Sequence, residues 1–110
     1  MKTQQVVLVT SLLAGLALTE QRFVGFNGCP CAAGAKALGV VDADTESGNM
    51  APVNVLGIML VETGDAVDAG KEVESDADGC AVERGSGESN GIALDEALQA
   101  GEIIRIVRGI

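Results

Sequence analysis

The fold is decided by the stretch Val53-Asn54-Val55-Leu56-Gly57-Ile58-Met59-Leu60-Val61. Every side chain in it is apolar except that of Asn54, and Gly57 has none. A strand with one face in water alternates apolar and polar residues, whereas this stretch has no polar face. It therefore predicts a β-strand that is central in a sheet or lies at an interface.

Shorter apolar stretches and glycine-containing turns flank this strand. Residues 103–107 form a second clear strand, interrupted by Arg105, and residues 37–41 and 92–94 are shorter candidates. Glycine accepts positive φ angles and Asp tolerates them, so turns are predicted at Gly64-Asp65, Ala69-Gly70, Asp78-Gly79 and residues 85–91. Short strands at this spacing predict an all-β domain, a small β-barrel or a β-tulip-like domain. Residues 6–18 are ambiguous between strand and helix.

From Gly28 onward the glycines and their neighbours form an internal pseudo-repeat. The matching segments are Gly28-Cys29 with Gly79-Cys80, Leu38-Gly39-Val40 with Asn90-Gly91-Ile92, Gly48 with Gly101, and Val55-Leu56-Gly57 with Val107-Arg108-Gly109. Each pair is separated by about 52 residues. The pattern predicts two related β-halves that build one barrel.

The length of the chain indicates its number of domains, and its charge is distributed unevenly. Its 110 residues are enough for one domain. Residues 1–41 contain one acid and three bases, whereas residues 42–110 contain fifteen acids and four bases. We therefore predict an extended N-terminal arm, residues 1–22, followed by a single β-rich domain, residues 23–110. The arm is expected to lie on a partner while the acidic body faces solvent.

The composition argues against several classes of function. A net charge of −9 repels phosphate backbones and anionic membranes, and no apolar stretch has the length of a transmembrane helix. The chain has no His, the side chain best suited to proton transfer near neutral pH, and only two aromatic residues. We therefore expect no nucleic-acid partner, no membrane partner, no cofactor and no enzymatic activity.

The cysteines and acidic clusters are poor candidates for metal sites. Cys29, Cys31 and Cys80 are odd in number, which favours reduced thiols in a cytosol, and they lack the fourth ligand that tetrahedral zinc needs. After Asp42 and Asp44 the spacing of glycine and the final carboxylate departs from a calcium-binding loop. No metal is expected.

Two alternative interpretations remain. Residues 1–18 superficially fit a signal peptide, although Thr10, Ser11 and Gly15 interrupt the apolar run. Residues 64–73 resemble the turn and strand of biotinyl and lipoyl carrier domains, but the lysine that these domains modify is missing from the following hairpin. A carrier-like β domain without that lysine, or a small β binding module, is the alternative function.

Most of the chain resembles the small capsid cement, or head decoration, proteins of tailed bacteriophages. The similar stretches, in order, are residues 22–26, 37–40, 53–57, 64–73, 75–81, 91–95 and 100–106. Cys29-Pro30-Cys31 and the acidic middle depart from the family pattern.

This resemblance implies a structural virion protein that binds the outer surface of an icosahedral head and bridges major capsid proteins. It implies a homotrimer, assembled in the cytoplasm of the host bacterium, without enzymatic activity. We expect the apolar residues of the arm and of the long strand to make the contacts with the capsid or between subunits. They are Val6, Val7, Leu8, Val9, Leu12, Leu13, Leu16, Leu18, Leu56, Ile58 and Leu60.

Overall fold

A computed structural model describes residues 2–109 as an all-β fold, as predicted; it assigns no helix within that range. The eight strands are β1 (Gln5–Leu13), β2 (Phe23–Val24), β3 (Gly39–Val41), β4 (Met50–Glu62), β5 (Val73–Ser75), β6 (Ala81–Glu83), β7 (Ile92–Ala93) and β8 (Ile103–Arg108). Residues 6–13, ambiguous in the sequence, belong to a strand. The long apolar stretch lies in β4.

Strand β4 is the centre of a six-stranded sheet that curls into a half-barrel. β1 pairs along one edge of β4, while β3 and then β8 pair along the opposite edge, all antiparallel. β2 lies outside β3, β7 lies outside β8, and β5 and β6 form a separate hairpin. The prediction that the 53–61 stretch is central is therefore confirmed.

Gly57 lies at the point where the partners of β4 change from β3 to β8. Its φ angle is +112°, which L side chains rarely adopt, and a Cβ there would lie 2.5 Å from the carbonyl oxygen of Gln5 and 2.8 Å from the amide nitrogen of Val7. Only glycine combines this backbone conformation with so close an approach of β1. Gly57 therefore allows one strand to serve both halves of the sheet.

The two halves of β4 belong to two structural repeats, which we define as residues 5–55 and residues 56–108. In the first repeat Leu18 and Thr45 exchange two backbone hydrogen bonds of 2.8 and 3.0 Å, and in the second Val67 and Ala97 do so at 2.9 and 2.8 Å. The pairing of β1 with β4 likewise matches the pairing of β4 with β8. The predicted internal repeat is present in the backbone.

The repeats also share unusual backbone angles. Gly48 and Gly101 have φ angles of +90° and +88°, and Gln21 and Gly70 have +63° and +86°. Within residues 2–109 Gln21 is the one non-glycine residue with positive φ. In the sequence the repeat is visible only from Gly28 onward, because it is recognised by the spacing of glycines. In the structure it begins at β1. At the turn where the second repeat has Gly70, the first repeat has Gln21 instead of glycine.

Each repeat contains its own hydrophobic core. The core of the first repeat consists of Ala14, Leu18, Val24, Val41, Ala51, Val53 and Val55. The larger core includes Met59, Val61, Val67, Val73, Ala81, Ala93, Ala97, Ile104 and Ile106 from the second repeat, with Phe23, Cys31, Ala37 and Val40 added from the first. The first repeat thus covers the core of the second, and within residues 5–22 β1 lies in the sheet while Ala14 and Leu18 lie in the core of the first repeat.

Candidate interaction surface

Strand β1 is an edge strand with an unusually apolar surface. Within the described part of the chain it pairs with β4 alone. Its residues include no charged side chain, and Val7, Val9 and Leu13 are 80%, 56% and 58% exposed. Natural edge strands are normally protected by charges, proline or a covering segment. β1 lacks the first two of these protections.

The backbone amides of β1 alternate between β4 and the outer edge. Ala14 donates its N–H to the carbonyl of Asn49 at 2.9 Å, which fixes the side of the strand that faces β4. In an antiparallel pair the direction alternates at each residue, so Leu12 also faces β4 while Ser11 and Leu13 direct their N–H groups outward.

The equivalent amides of the second repeat have partners. Leu60 donates its N–H to the Gln4 Oε1 atom at 3.0 Å, and Glu62 donates its N–H to the Gln21 carbonyl at 2.7 Å. By register, Leu60 and Glu62 correspond to Ser11 and Leu13. The same edge is therefore covered in the second repeat, whereas in the first it pairs with no strand of the described residues and only Gly28 packs against it, at the Leu13 carbonyl.

The structure distributes the predicted contact residues among three environments. Exposed residues are Val7, Leu8, Val9, Leu13 and Leu16, and half-buried ones are Val6, Leu12, Leu56, Ile58 and Leu60. Leu18 is buried in the core of the first repeat, where its side chain packs inside the chain. Four of the exposed residues lie together on β1, and the half-buried Leu56, Ile58 and Leu60 lie on the neighbouring strand β4.

Two exposed apolar residues of the first repeat lie outside the predicted contact set. Met50, 59% exposed, lies opposite Leu13 on the neighbouring strand, and Phe26, also 59% exposed, lies in the loop after β2. Met50 directly follows the Gly48-Asn49 turn, and its position there was the signal that could have placed it opposite Leu13 on the neighbouring strand. It extends the apolar surface of β1.

The second repeat exposes fewer large apolar residues than the first. Leu98 is 77% exposed, and Ile92, Leu94 and Val107 are between 38% and 42% exposed. The second repeat contains twelve acids and four bases, compared with four acids and two bases in the first. The acidic surface and the main apolar surface thus belong to different repeats.

An ion pair fixes the loop between β7 and β8. Arg105 donates through Nη2 to Asp95 Oδ1 at 2.9 Å and through Nε to Oδ2 at 3.0 Å, and its backbone N–H also reaches Oδ2 at 2.9 Å. These hydrogen bonds lower the pKa of Asp95 from 3.8 to about 2. Arg105, which interrupts the apolar pattern in the sequence, thus has a structural partner.

Arg108 is a buried cation that connects the repeats. Its guanidinium donates to the carbonyls of Leu38 at 2.6 Å and Val55 at 2.8 Å, and also to that of Ala37. Burial lowers its pKa below the ordinary value for arginine, since removing the charge from water is unfavourable. The end of β8 is thereby attached to β4 and to the residues just before β3.

The cysteines are free thiols, with Cys31 and Cys80 buried and Cys29 half-buried. Burial raises the pKa of Cys31, and burial together with nearby Asp76 raises that of Cys80 to about 11. Among residues 2–109 no three potential metal-ligating side chains are grouped together, and no helix there could span a bilayer.

Comparison with known proteins identifies the family. The family model described as "Phage cement protein" matches residues 1–108. Three chains of solved structures match, among them the head fiber gp8.5 N base of bacteriophage phi29, with 22% identity, a TM-score of 0.75 and 93% of each chain covered. No curated protein matches. The resemblance to capsid cement proteins is thus confirmed: the chain belongs to the phage cement protein family and is a structural protein of a phage head.

Proposed function

We propose that this protein binds the outer surface of an icosahedral phage head and stabilises the shell by bridging major capsid proteins, without catalysing a reaction. Its place would be on the virion, after assembly in the host cytoplasm. Membership of the cement family supports a role at the head. The observation that carries the binding surface is β1, whose nine residues combine an open edge with no charge.

The exposed residues of the predicted contact set would meet the capsid. They are Val7, Leu8, Val9, Leu13 and Leu16, joined by Met50. The half-buried residues Leu56, Ile58 and Leu60 would instead contribute to contacts between subunits of a homotrimer. The acidic second repeat would then remain in solvent, since like charges on neighbouring copies repel one another.

The binding surface can be tested by placing a charge on it. Undecorated heads are incubated with the protein, sedimented and analysed for bound protein. Val7→Lys should weaken binding at least about tenfold, because an ammonium group would be desolvated at the contact. Leu98→Lys is the matched control, since it adds the same charge to an equally exposed apolar residue of the other repeat.

Two results would contradict the proposal. Failure of the wild-type protein to bind heads would refute the capsid role, and equal binding of Val7→Lys and wild type would refute the role of β1. Electron cryomicroscopy of decorated heads tests bridging, because each bound copy should contact more than one capsid subunit. The mass of the purified protein and the symmetry of the bound density test the trimer.

A further inference from the structure

The internal repeat shows what the open edge of β1 lacks. β1 occupies the same position in the first repeat as the second half of β4 occupies in the second. That half of β4 is paired with β8 on one edge, while the N-terminal part of β1, Gln4 and Gln21 cover its other edge. Among residues 2–109 no second strand pairs with the outer edge of β1, although the buried Gly28 packs against the Leu13 carbonyl at its C-terminal end.

We propose that the outer edge of β1 accepts an extended segment of the shell protein as an added β-strand. This inference rests on the proposed function and specifies how the contact is made. The outward amides of Ser11 and Leu13 would donate to the backbone of the added segment, as Leu60 and Glu62 donate within the chain. Main-chain hydrogen bonds would supply affinity and the exposed apolar side chains would supply specificity.

A second copy of this chain fits the edge less well than a different protein. Where the repeats meet within the chain, Arg22 pairs with Glu62 at 3.2 Å. The equivalents of these two residues are Lys71 in the second repeat and Leu13 in the first, as their shared hydrogen-bond pattern shows. If the second repeat of another copy packed against β1 in the way the two repeats pack within the chain, the ammonium group of its Lys71 would lie beside Leu13.

The other side of that hypothetical contact is also mismatched. Phe23, which is buried against the second repeat, has Glu72 as its equivalent. The face of the second repeat that would contact another copy thus has the charged Glu72 where the contact between the two repeats has the apolar Phe23. A charged residue at this position favours exposure to solvent. The uncharged edge of β1 instead fits an uncharged, extended segment of another protein.

Proline at position 11 tests the edge directly, because it removes the outward N–H and leaves the β4 ladder intact. Ser11 is exposed and its N–H faces away from β4. Ser11→Pro should bind undecorated heads at least about tenfold more weakly than wild type. Ser11→Ala, which loses the hydroxyl and keeps the N–H, should bind like wild type. Circular dichroism and thermal melting establish that both variants are folded.

Amide hydrogen exchange provides a test that needs no variant. In the free protein the amides of Ser11 and Leu13 should exchange quickly while that of Leu12 is protected. On wild-type protein bound to heads, the outward amides should become protected as well. Continued fast exchange in the bound state would overturn strand addition even if Ser11→Pro failed to fold.

The remaining outcomes separate the two proposals. If wild type binds heads and Ser11→Pro binds equally well, strand addition is wrong while the capsid role stands. If wild type does not bind, both are wrong. If Ser11→Pro converts an oligomer to monomers, or the outward amides are already protected in a free oligomer, a second copy occupies the edge and the assignment to the shell protein is overturned.

Discussion

The two repeats have the same backbone pattern and opposite surfaces. In the second repeat the core is covered by residues of the first, and most charged side chains of the protein lie around it. In the first repeat the equivalent edge pairs with no further strand of the described residues, and β1 carries four of the seven large apolar residues that this repeat exposes. The comparison teaches that the fold does not require an apolar exposed edge, because the same fold covers that edge in its second copy.

The strongest way to disrupt the relation between the repeats is to change the residue at their junction. Gly57→Ala should lower the free energy of unfolding by at least about 3 kcal/mol, since it combines a positive φ with a backbone clash against Gln5. Urea denaturation measures the effect. Gly48→Ala is the control, because Gly48 has a φ of +90° and no atom within 4 Å of an added Cβ.

The control should lose about 1 kcal/mol, the cost of a left-handed conformation alone. Equal losses in the two variants would show that the close approach of β1 at Gly57 contributes nothing.

Removing the buried cation should destabilise the protein less than Gly57→Ala does. Arg108→Ala leaves the carbonyls of Leu38 and Val55 without their donor, which should cost about 2 kcal/mol of unfolding free energy after the relief of a buried charge is counted. Arg84→Ala removes an exposed arginine of the same repeat and should change stability by no more than about 0.5 kcal/mol. A similar small change for both arginines, in urea denaturation, would contradict a connecting role for Arg108.

The smallest expected effect is the pH-dependent stabilisation by the ion pair between Asp95 and Arg105, which lies in the acidic second repeat. The pKa of Asp95 in the folded protein is lowered from 3.8 to about 2, so its ionised form stabilises the fold above pH 4. This stabilisation is lost as the pH falls from about 4 to about 2. The difference in unfolding free energy between wild type and Asp95→Asn should therefore shrink over that range.

Arg105→Gln should reduce the same pH-dependent contribution, because it removes the guanidinium hydrogen bonds and leaves only the backbone N–H of residue 105 on Asp95. Urea denaturation at several pH values provides both measurements. A difference between wild type and Asp95→Asn that stays constant from pH 5 to pH 2 would contradict this assignment.

Local patterns in the sequence were enough to predict β3, β4, β7, β8 and much of the repeat, but not β2, β5 or β6. The apolar 53–61 stretch predicted a central strand, and the spacing of glycines such as Gly48 and Gly101 predicted two related halves. Both signals are local, since one depends on side-chain polarity and the other on backbone angles that glycine favours. The resemblance to cement proteins depended on the order of these short segments.

The edge partners of each strand could not be predicted in the same way. The sequence showed that residues 6–18 were apolar, but not that β1 would pair with β4 and leave its other edge open. Pairing is set by contacts between residues far apart in sequence, and Gln21 conceals the turn equivalence that Gly70 would otherwise have revealed. For the same reason the burial of Leu18 and the exposure of Met50 became visible only in the fold.

The continuity of β4 has a mechanical consequence. β1 and β8 both run antiparallel to this one strand, and they overlap along it at Gly57 and Ile58. A pull on β1 along its length would therefore load many inter-strand hydrogen bonds together, in shear, and pass directly into the strand that holds β8. Tension arriving at one end of the molecule would be shared by both halves instead of peeling them apart in turn.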